Sequence, residues 1–311
     1  MRAAAAAVAM VLAGGAHAES ARMTGKFAAP YRDAAMLESL RVGRFSGQDG
    51  QALEMAIERA LSAPDLDGRP HFDLVGGRGG DADGLLTGNV TTGVQENLYK
   101  GKEKRCVERE GGKRDGKCLR EEMVEVDCTR RVINVNADFR LARRNDGRIV
   151  YTTSKPRRDE VSWCRGRNPP STAEETIRAI ILGIAAEVRT DIAPTIQNYS
   201  IRFRESTRGL ERSLTRPFKE IVRQTQRDLP AACAAWQAMD GQAPDHPSIV
   251  FDLGLCAESR GEYRRALDLY RRAAALIGGG GNEGTAGIER AERLIAARED
   301  DRERGRGKAR R

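Results

Sequence analysis

The chain has 311 residues, of which 32% are charged and only 5% aromatic, and carries a formal charge of +8. That length suits about two domains of roughly 150 residues each, with cores built from Ala, Leu, Ile and Val under an arginine-rich surface. No apolar run reaches the ~20 residues that span a bilayer, so no transmembrane span is expected, and the basic balance permits acidic partners without requiring them.

The opening MRAAAAAVAMVLAGGAHA has one Arg, an apolar run from Ala3 to Ala13 and a small-x-small ending at Ala16, His17 and Ala18. It reads as a secretory signal peptide, residues 1–18, cleaved near Ala18. No Cys follows that site, so a lipid anchor is not indicated. Loss of Arg2 takes the formal charge from +8 to +7. A periplasmic, exported protein is expected, with outer-membrane association left open. Residues 19–35 are small and polar and read as a flexible lead-in.

LRVGRFSG, from Leu40 to Gly47, fits a strand entering a turn. Leu53, Ala56, Ile57, Ala60 and Leu61 then fall on one face of a helix that Pro64 and Gly68 end. HFDLV follows as a second short strand, so the order opens β-α-β. GGRGGDADG, from Gly76 to Gly84, lacks the Gly-Lys-Ser/Thr ending of a phosphate loop and reads as a mobile connector.

From Leu85 to Trp163 the sequence is strand-rich. Ile133, Val135, Ala137, Phe139 and Leu141 alternate with Asn134, Asn136, Asp138 and Arg140, the pattern of a strand with one buried and one wet face. Asp146-Gly147 tolerates a left-handed turn, and RIVYTTS returns antiparallel, making a long hairpin. Its outward residues are charged or amides, which disfavours a lipid-facing barrel wall. Thr172 with Glu175 forms a capping box, and Ile177, Ile180, Ile181, Ile184 and Val188 stripe the helix behind it. YSIRFRES reads as a last strand with Tyr199, Ile201 and Phe203 on one face.

No metal, nucleotide or nucleophile signature stands out. His71 and His246 lack Cys, His or carboxylate neighbours at ligand spacing, and no Gly-x-Ser-x-Gly, HExxH or Walker motif occurs. No catalytic residue, cofactor or metal is therefore expected, and export argues against nucleic acid as a partner. Six cysteines, at 106, 118, 128, 164, 233 and 256, allow 15 pairings. Locality favours Cys106 with Cys118, Cys128 with Cys164, and Cys233 with Cys256; a zinc cluster is the rival, without any C-x-x-C to support it.

Beyond Gly209 the pattern is helical. In SIVFDLGLCAESRGEYRRALDLYRRAAALIG, Leu253, Gly254 and Ala257 fall on one helix, Gly261 opens a turn, and Tyr263, Ala266, Tyr270 and Ala273 lie on a second. Ala232, Trp236 and Pro244 stand 34 residues before Ala266, Tyr270 and Gly278. LERSLTRPFKEIVRQTQ, with Pro217, reads as a degenerate repeat or connector helix, and Ile288, Ala291, Leu294 and Ile295 as a capping helix. REDDRERGRGKARR, from Arg298, shows no apolar periodicity and reads as a disordered charged tail.

These intervals resemble the tetratricopeptide (TPR) repeat, with Val250 where the family has Trp and Gly278 where it has Pro. The resemblance implies a groove lined by Phe251, Asp252, Leu255 and Glu258, a surface for a partner segment. For residues 36–206, the strand LRVGRFSG, the stretch from Tyr99 to Cys106, GRIVYTTS and the helix running into DIAPTI resemble the curli-secretion (CsgG) and penicillin-binding-protein-activator (LpoB) group of envelope proteins. That likeness implies a periplasmic binding or assembly module.

The expected fold is α+β: an N-terminal α/β sandwich with a long antiparallel β-hairpin over 36–206, then an all-α TPR-like domain over 210–297 and a tail over 298–311. The expected function is a non-enzymatic scaffold or adaptor for another envelope protein. An oligomeric secretion or outer-membrane assembly component, a homo-oligomer, is the alternative, and an undetected envelope enzyme the second alternative.

Overall fold

The computed structural model describes residues 19–65, 68–76, 81–112 and 115–309. The expected signal peptide and Gly77–Gly80 of the glycine-rich connector lie outside the described residues. The chain is a mixed α/β protein. In chain order its elements are β1 (Ser20–Phe27), α1 (Arg32–Ala35), β2 (Ser39–Ser46), α2 (Gly50–Leu61) and β3 (Asp73–Leu74). Then come β4 (Gly84–Arg109), β5 (Cys118–Arg143), β6 (Ile149–Cys164), α3 (Ala173–Ile192) and β7 (Thr195–Arg202). The rest is helical: α4 (Arg212–Gln224), α5 (Leu229–Asp240), α6 (Pro247–Ser259), α7 (Tyr263–Ile277) and α8 (Glu283–Ala309).

Two compact units result among the described residues: 28–195 with 300–309, and 196–299 with 19–27. The first is built on a five-stranded sheet of order β3-β2-β4-β5-β6. β2 runs parallel to β3 and β4, while β4, β5 and β6 are antiparallel in turn. One face of this sheet is apolar because alternate residues of β4 and β5 share a side. Leu86, Val90, Ile133, Val135, Phe139 and Leu141 are all buried there, beneath Leu53 and Ile57 of α2 and Ile181, Ile184 and Val188 of α3. α3 starts where its capping box places it: Thr172 Oγ1 accepts from the Glu175 N–H at 3.1 Å, and the Thr172 N–H donates to Glu175 Oε2 at 2.9 Å. Two of the four orphan donors at that helix end are thereby satisfied.

β4 and β5 are each 26 residues long, whereas β6 pairs with β5 only from Cys128 onward. β2 leaves β4 after Asn89. Residues 100–109 and 118–127 therefore extend past the other strands as a two-stranded arm. Disulfides close it at both levels, Cys128–Cys164 at the base and Cys106–Cys118 near the tip. Along one side, Lys100 pairs with Asp127 and Lys104 with Glu121 across the strands, which suits a ribbon with no core of its own.

The acidic-basic C-terminal stretch belongs to α8, through Ala309, where the sequence suggests a disordered tail. Several of its charges make tertiary contacts. Arg304 donates to the carbonyls of Ala35, Leu37 and His71 at 2.5, 2.6 and 2.8 Å, and Arg32 pairs with Asp300 at 2.6 Å and with Glu303. A tertiary role of this kind leaves no apolar periodicity to read.

In the second unit, β1 and β7 form a two-stranded ribbon. β1 lies where the sequence suggests a flexible lead-in, and β7 pairs with it instead of closing the large sheet. The alternation in β1 explains the pairing: Ala21, Met23 and Phe27 are buried while Arg22 and Thr24 are exposed. The helices α4 to α7 follow as successive antiparallel neighbours, and Cys233–Cys256 joins α5 to α6. Size complementarity sets the α6–α7 contact, since a Cβ at Gly254 would lie 2.5 Å from the Tyr270 ring. At Gly261 the turn needs φ +73°, a conformation glycine adopts without strain. Ala266, Tyr270 and Ala273 are fully buried behind it. Tyr263 lies under the Arg298 guanidinium, Leu253 packs beside α5, and Trp236 is fully buried edge-on to Phe218.

Candidate functional site

The four residues expected to line an open groove are all closed to solvent. Phe251 and Leu255 belong to a buried cluster with Ala21, Met23 and Phe203, so the ribbon of β1 and β7 covers this face of α6. The extended backbone after β7 continues the cover. The Arg204 N–H donates to Asp252 Oδ1 at 2.9 Å, Ser248 Oγ donates to the Ser206 carbonyl at 2.7 Å, and His246 Nε2 lies 3.2 Å from the Arg208 carbonyl. The face that resembles a peptide groove is thus filled by residues 199–208 of the same chain. An amphipathic strand 40 to 50 residues earlier gives no sequence signal of where it docks.

Glu258 is the hub of this buried polar network. Its carboxylate accepts from Tyr199 Oη at 2.7 Å, from Tyr270 Oη at 2.5 Å, and from Arg290 Nε and Nη2 at 2.6 and 2.8 Å. Burial, with hydrogen bonding to the carboxylate, pushes both phenols well above their ordinary range. Phenols so held are poor acids, and the network holds helices together rather than activating a nucleophile. Asp252 differs, since its second oxygen has no hydrogen-bond partner among the described residues. Burial drives that carboxyl well above the usual range, against the pull of the Arg204 N–H and charge.

In the first unit, Tyr151 Oη donates to Asp191 Oδ2 at 2.8 Å, beside Lys155 at 2.8 Å from the same oxygen. Burial and the carboxylate raise the Tyr151 phenol far above its ordinary value, the opposite of what a general base needs. Among the described residues no group of three or more His, Cys, Asp or Glu side chains could hold a metal ion. His71 touches the Ala35 carbonyl and Arg304, and His246 is buried against Phe218.

An apolar cleft of about 680 Å³ lies between α2 and the first turns of α3, floored by Thr92 and Val94 of β4. Ala52, Met55 and Ala56 form one wall and Ile177, Ile181 and Leu182 the other. Met55 is 57% exposed, Val94 45% and Leu182 42%, values that mark an apolar strip left uncovered. Farther along the same side of β4, past Glu96, Leu98 is 83% exposed. Sequence periodicity finds the inner faces of both helices. It does not find this outer strip, because isolated Met and Leu on helix surfaces are common.

All six cysteines are paired as Cys106–Cys118, Cys128–Cys164 and Cys233–Cys256. Three disulfides fit an exported protein. No helix among the described residues is long and apolar enough to cross a membrane.

No family model matches the chain, and no curated protein matches its sequence. Among solved structures, a minor lipoprotein from Acinetobacter baumannii is 12% identical, over 49% of this chain and 88% of that one, at a TM-score of 0.23. A protein described as a neuraminyllactose-binding hemagglutinin homolog from Helicobacter pylori is also 12% identical, over 60% of this chain and 86% of that one, at 0.24. Both likenesses are too slight to carry an inference about this chain.

Proposed function

We propose that this chain is a non-enzymatic adaptor of the cell envelope that holds another envelope protein by surface complementarity. The observation that carries the reading is the uncovered apolar cleft of Met55, Leu182 and Val94, with Leu98 exposed farther along β4 at the foot of a disulfide-braced arm. Apolar surface left uncovered on a chain this polar is the mark of a docking site. The α6–α7 pair and its neighbours retain the size pattern of TPR repeats, but with the α6 face filled from within they serve as a support for the ribbon. An immobilised wild-type chain is expected to retain a defined envelope protein that a Leu98→Glu, Met55→Glu variant releases. Equal retention by both would overturn the reading.

An oligomeric assembly component is the second reading. It is favoured by β4 beyond Asn89, whose second edge has no strand paired to it among the described residues. Open edges invite pairing with another chain. A monomer by light scattering across the micromolar range would remove it.

A further inference from the structure

Resting on the adaptor reading, we infer that the α2–α3 cleft receives an acidic amphipathic helix of a partner protein. The lining has the spacing of a helix seat. Ala52, Met55 and Arg59 mark successive turns of α2, and Ile177, Ile181 and Leu182 mark turns of α3. The α2 row spans about two turns, roughly 10 Å, and the α3 row about one and a half, roughly 8 Å, at 1.5 Å per residue. Ridges at three- and four-residue steps on two neighbouring helices leave grooves that take the ridges of a third. An acyl chain would want an enclosed slot, whereas Met55 on the wall of this cleft is more than half exposed.

Charge selects the partner. Arg59 and Arg178 both stand on the cleft wall, both exposed, and neither has an ion pair or hydrogen bond from its guanidinium among the described residues. Other arginines of the chain are held in ion pairs, among them Arg157 with Glu187, Arg189 with Asp65 and Arg271 with Glu292, whereas these two are free to meet a carboxylate from outside. Asp49 and Glu174 line the cleft at the first turns of α2 and α3, so the partner's carboxylates must fall beside the arginines and not at that end. A second copy of this chain is a poor occupant, because the chain is itself basic at +8 and its α7 surface is lined with arginines. The partner helix therefore carries an apolar stripe at i, i+3, i+4 and i+7, the pattern of helix-in-groove recognition, with Glu or Asp flanking one half of it.

The test uses the full chain and two fluorescent peptides of about 14 residues, roughly four helical turns. Both carry the same leucine stripe, one flanked by Glu and the other by Lys. Anisotropy titrations are expected to give the Glu peptide an affinity at least about tenfold above that of the Lys peptide, a difference of about 1.4 kcal/mol. The Arg59→Glu, Arg178→Glu variant, altered only at exposed positions, is expected to reverse that preference, with its circular dichroism unchanged. Leu182→Glu is expected to weaken binding of the Glu peptide. Equal affinity for the two peptides, or a preference that the arginine reversal leaves untouched, overturns the inference. So does tighter binding to phosphatidylglycerol vesicles than to the Glu peptide, which would make the cleft a lipid site, or displacement of the peptide by a second copy of the chain. The adaptor reading survives such a failure if the envelope protein retained by the wild-type chain is still lost with Leu98→Glu alone.

Discussion

Arg290 holds Glu258 through two N–H···O bonds of 2.6 and 2.8 Å, on a carboxylate that is wholly closed to solvent. The same guanidinium stacks 5.3 Å over the Tyr270 ring, whose hydroxyl donates to the second carboxylate oxygen. α6, α7 and α8 are thus tied at one point, together with Tyr199 of β7. Removing one member strands a buried charge, which typically destabilises by about 3–5 kcal/mol. Arg290→Met is expected to cost that much in urea unfolding, and the double variant Glu258→Leu, Arg290→Met less than the sum of the two single changes. Additive losses would show that the pair acts as two independent contacts.

Asp252 gives a stability that depends on pH in a stated direction. Its folded value lies above the unfolded one because burial outweighs the Arg204 N–H. A proton held in the folded state and released in the unfolded one stabilises fully below the unfolded value of about 3.9, and that contribution is lost as pH rises toward the folded value. Wild-type stability is therefore expected to fall relative to Asp252→Asn by up to about 1.4 kcal/mol per pH unit above about pH 4. Parallel curves for the two proteins would place an ionised, compensated carboxylate at this position.

Phe251 is 2% exposed and packs 5.6 Å from Tyr270, centroid to centroid. An open groove would let Phe251→Glu abolish partner capture while leaving the fold intact. With the ribbon seated on this face, a charge here is instead buried without a partner, and the expected result is loss of the cooperative unfolding transition of this unit. Phe251→Leu is expected to cost about 1–3 kcal/mol with partner capture retained.

The disulfides separate two kinds of support. Cys128–Cys164 spans 36 residues and ties β5 to β6, whereas Cys106–Cys118 spans 12 and closes only the arm. Chain-entropy arguments put their contributions near 4 and 3 kcal/mol. The paired Cys106→Ser, Cys118→Ser change is expected to raise amide exchange in the arm alone. The paired Cys128→Ser, Cys164→Ser change should lower the unfolding midpoint of the whole sheet. Peptide mapping without reductant is expected to return the three observed pairs.

What could be read from sequence was what neighbouring residues decide. The capping box at Thr172, the apolar face of Leu53, Ala56 and Ile57, the Asp146-Gly147 turn and the Gly254–Tyr270 fit are all short-range, and each stands where its spacing puts it. β1 escaped notice because eight alternating residues mean little until β7, some 170 residues away, offers an edge; Thr24 Oγ1 meets Asn198 Oδ1 at 2.6 Å only in the pair. The end of α8 escaped for a different reason, since Arg304 serves carbonyls of α1 and its neighbours that no periodicity encodes. The candidate groove failed on occupancy: side-chain size placed Phe251 and Leu255 on one face, but nothing local said that Phe203 would lie against it. The cleft was missed because its signal is the absence of cover over Met55, Val94 and Leu182.

A photoreactive benzoylphenylalanine placed at Met55, and separately at Leu276 of α7, in cells making the chain tests the adaptor account most directly. Both positions are exposed, and only the first lies on the cleft. The account predicts one defined crosslinked product from Met55, lost on Arg59→Glu, Arg178→Glu, and none from Leu276. A product from Leu276 alone, or none from Met55 while the partner is still retained, would contradict it.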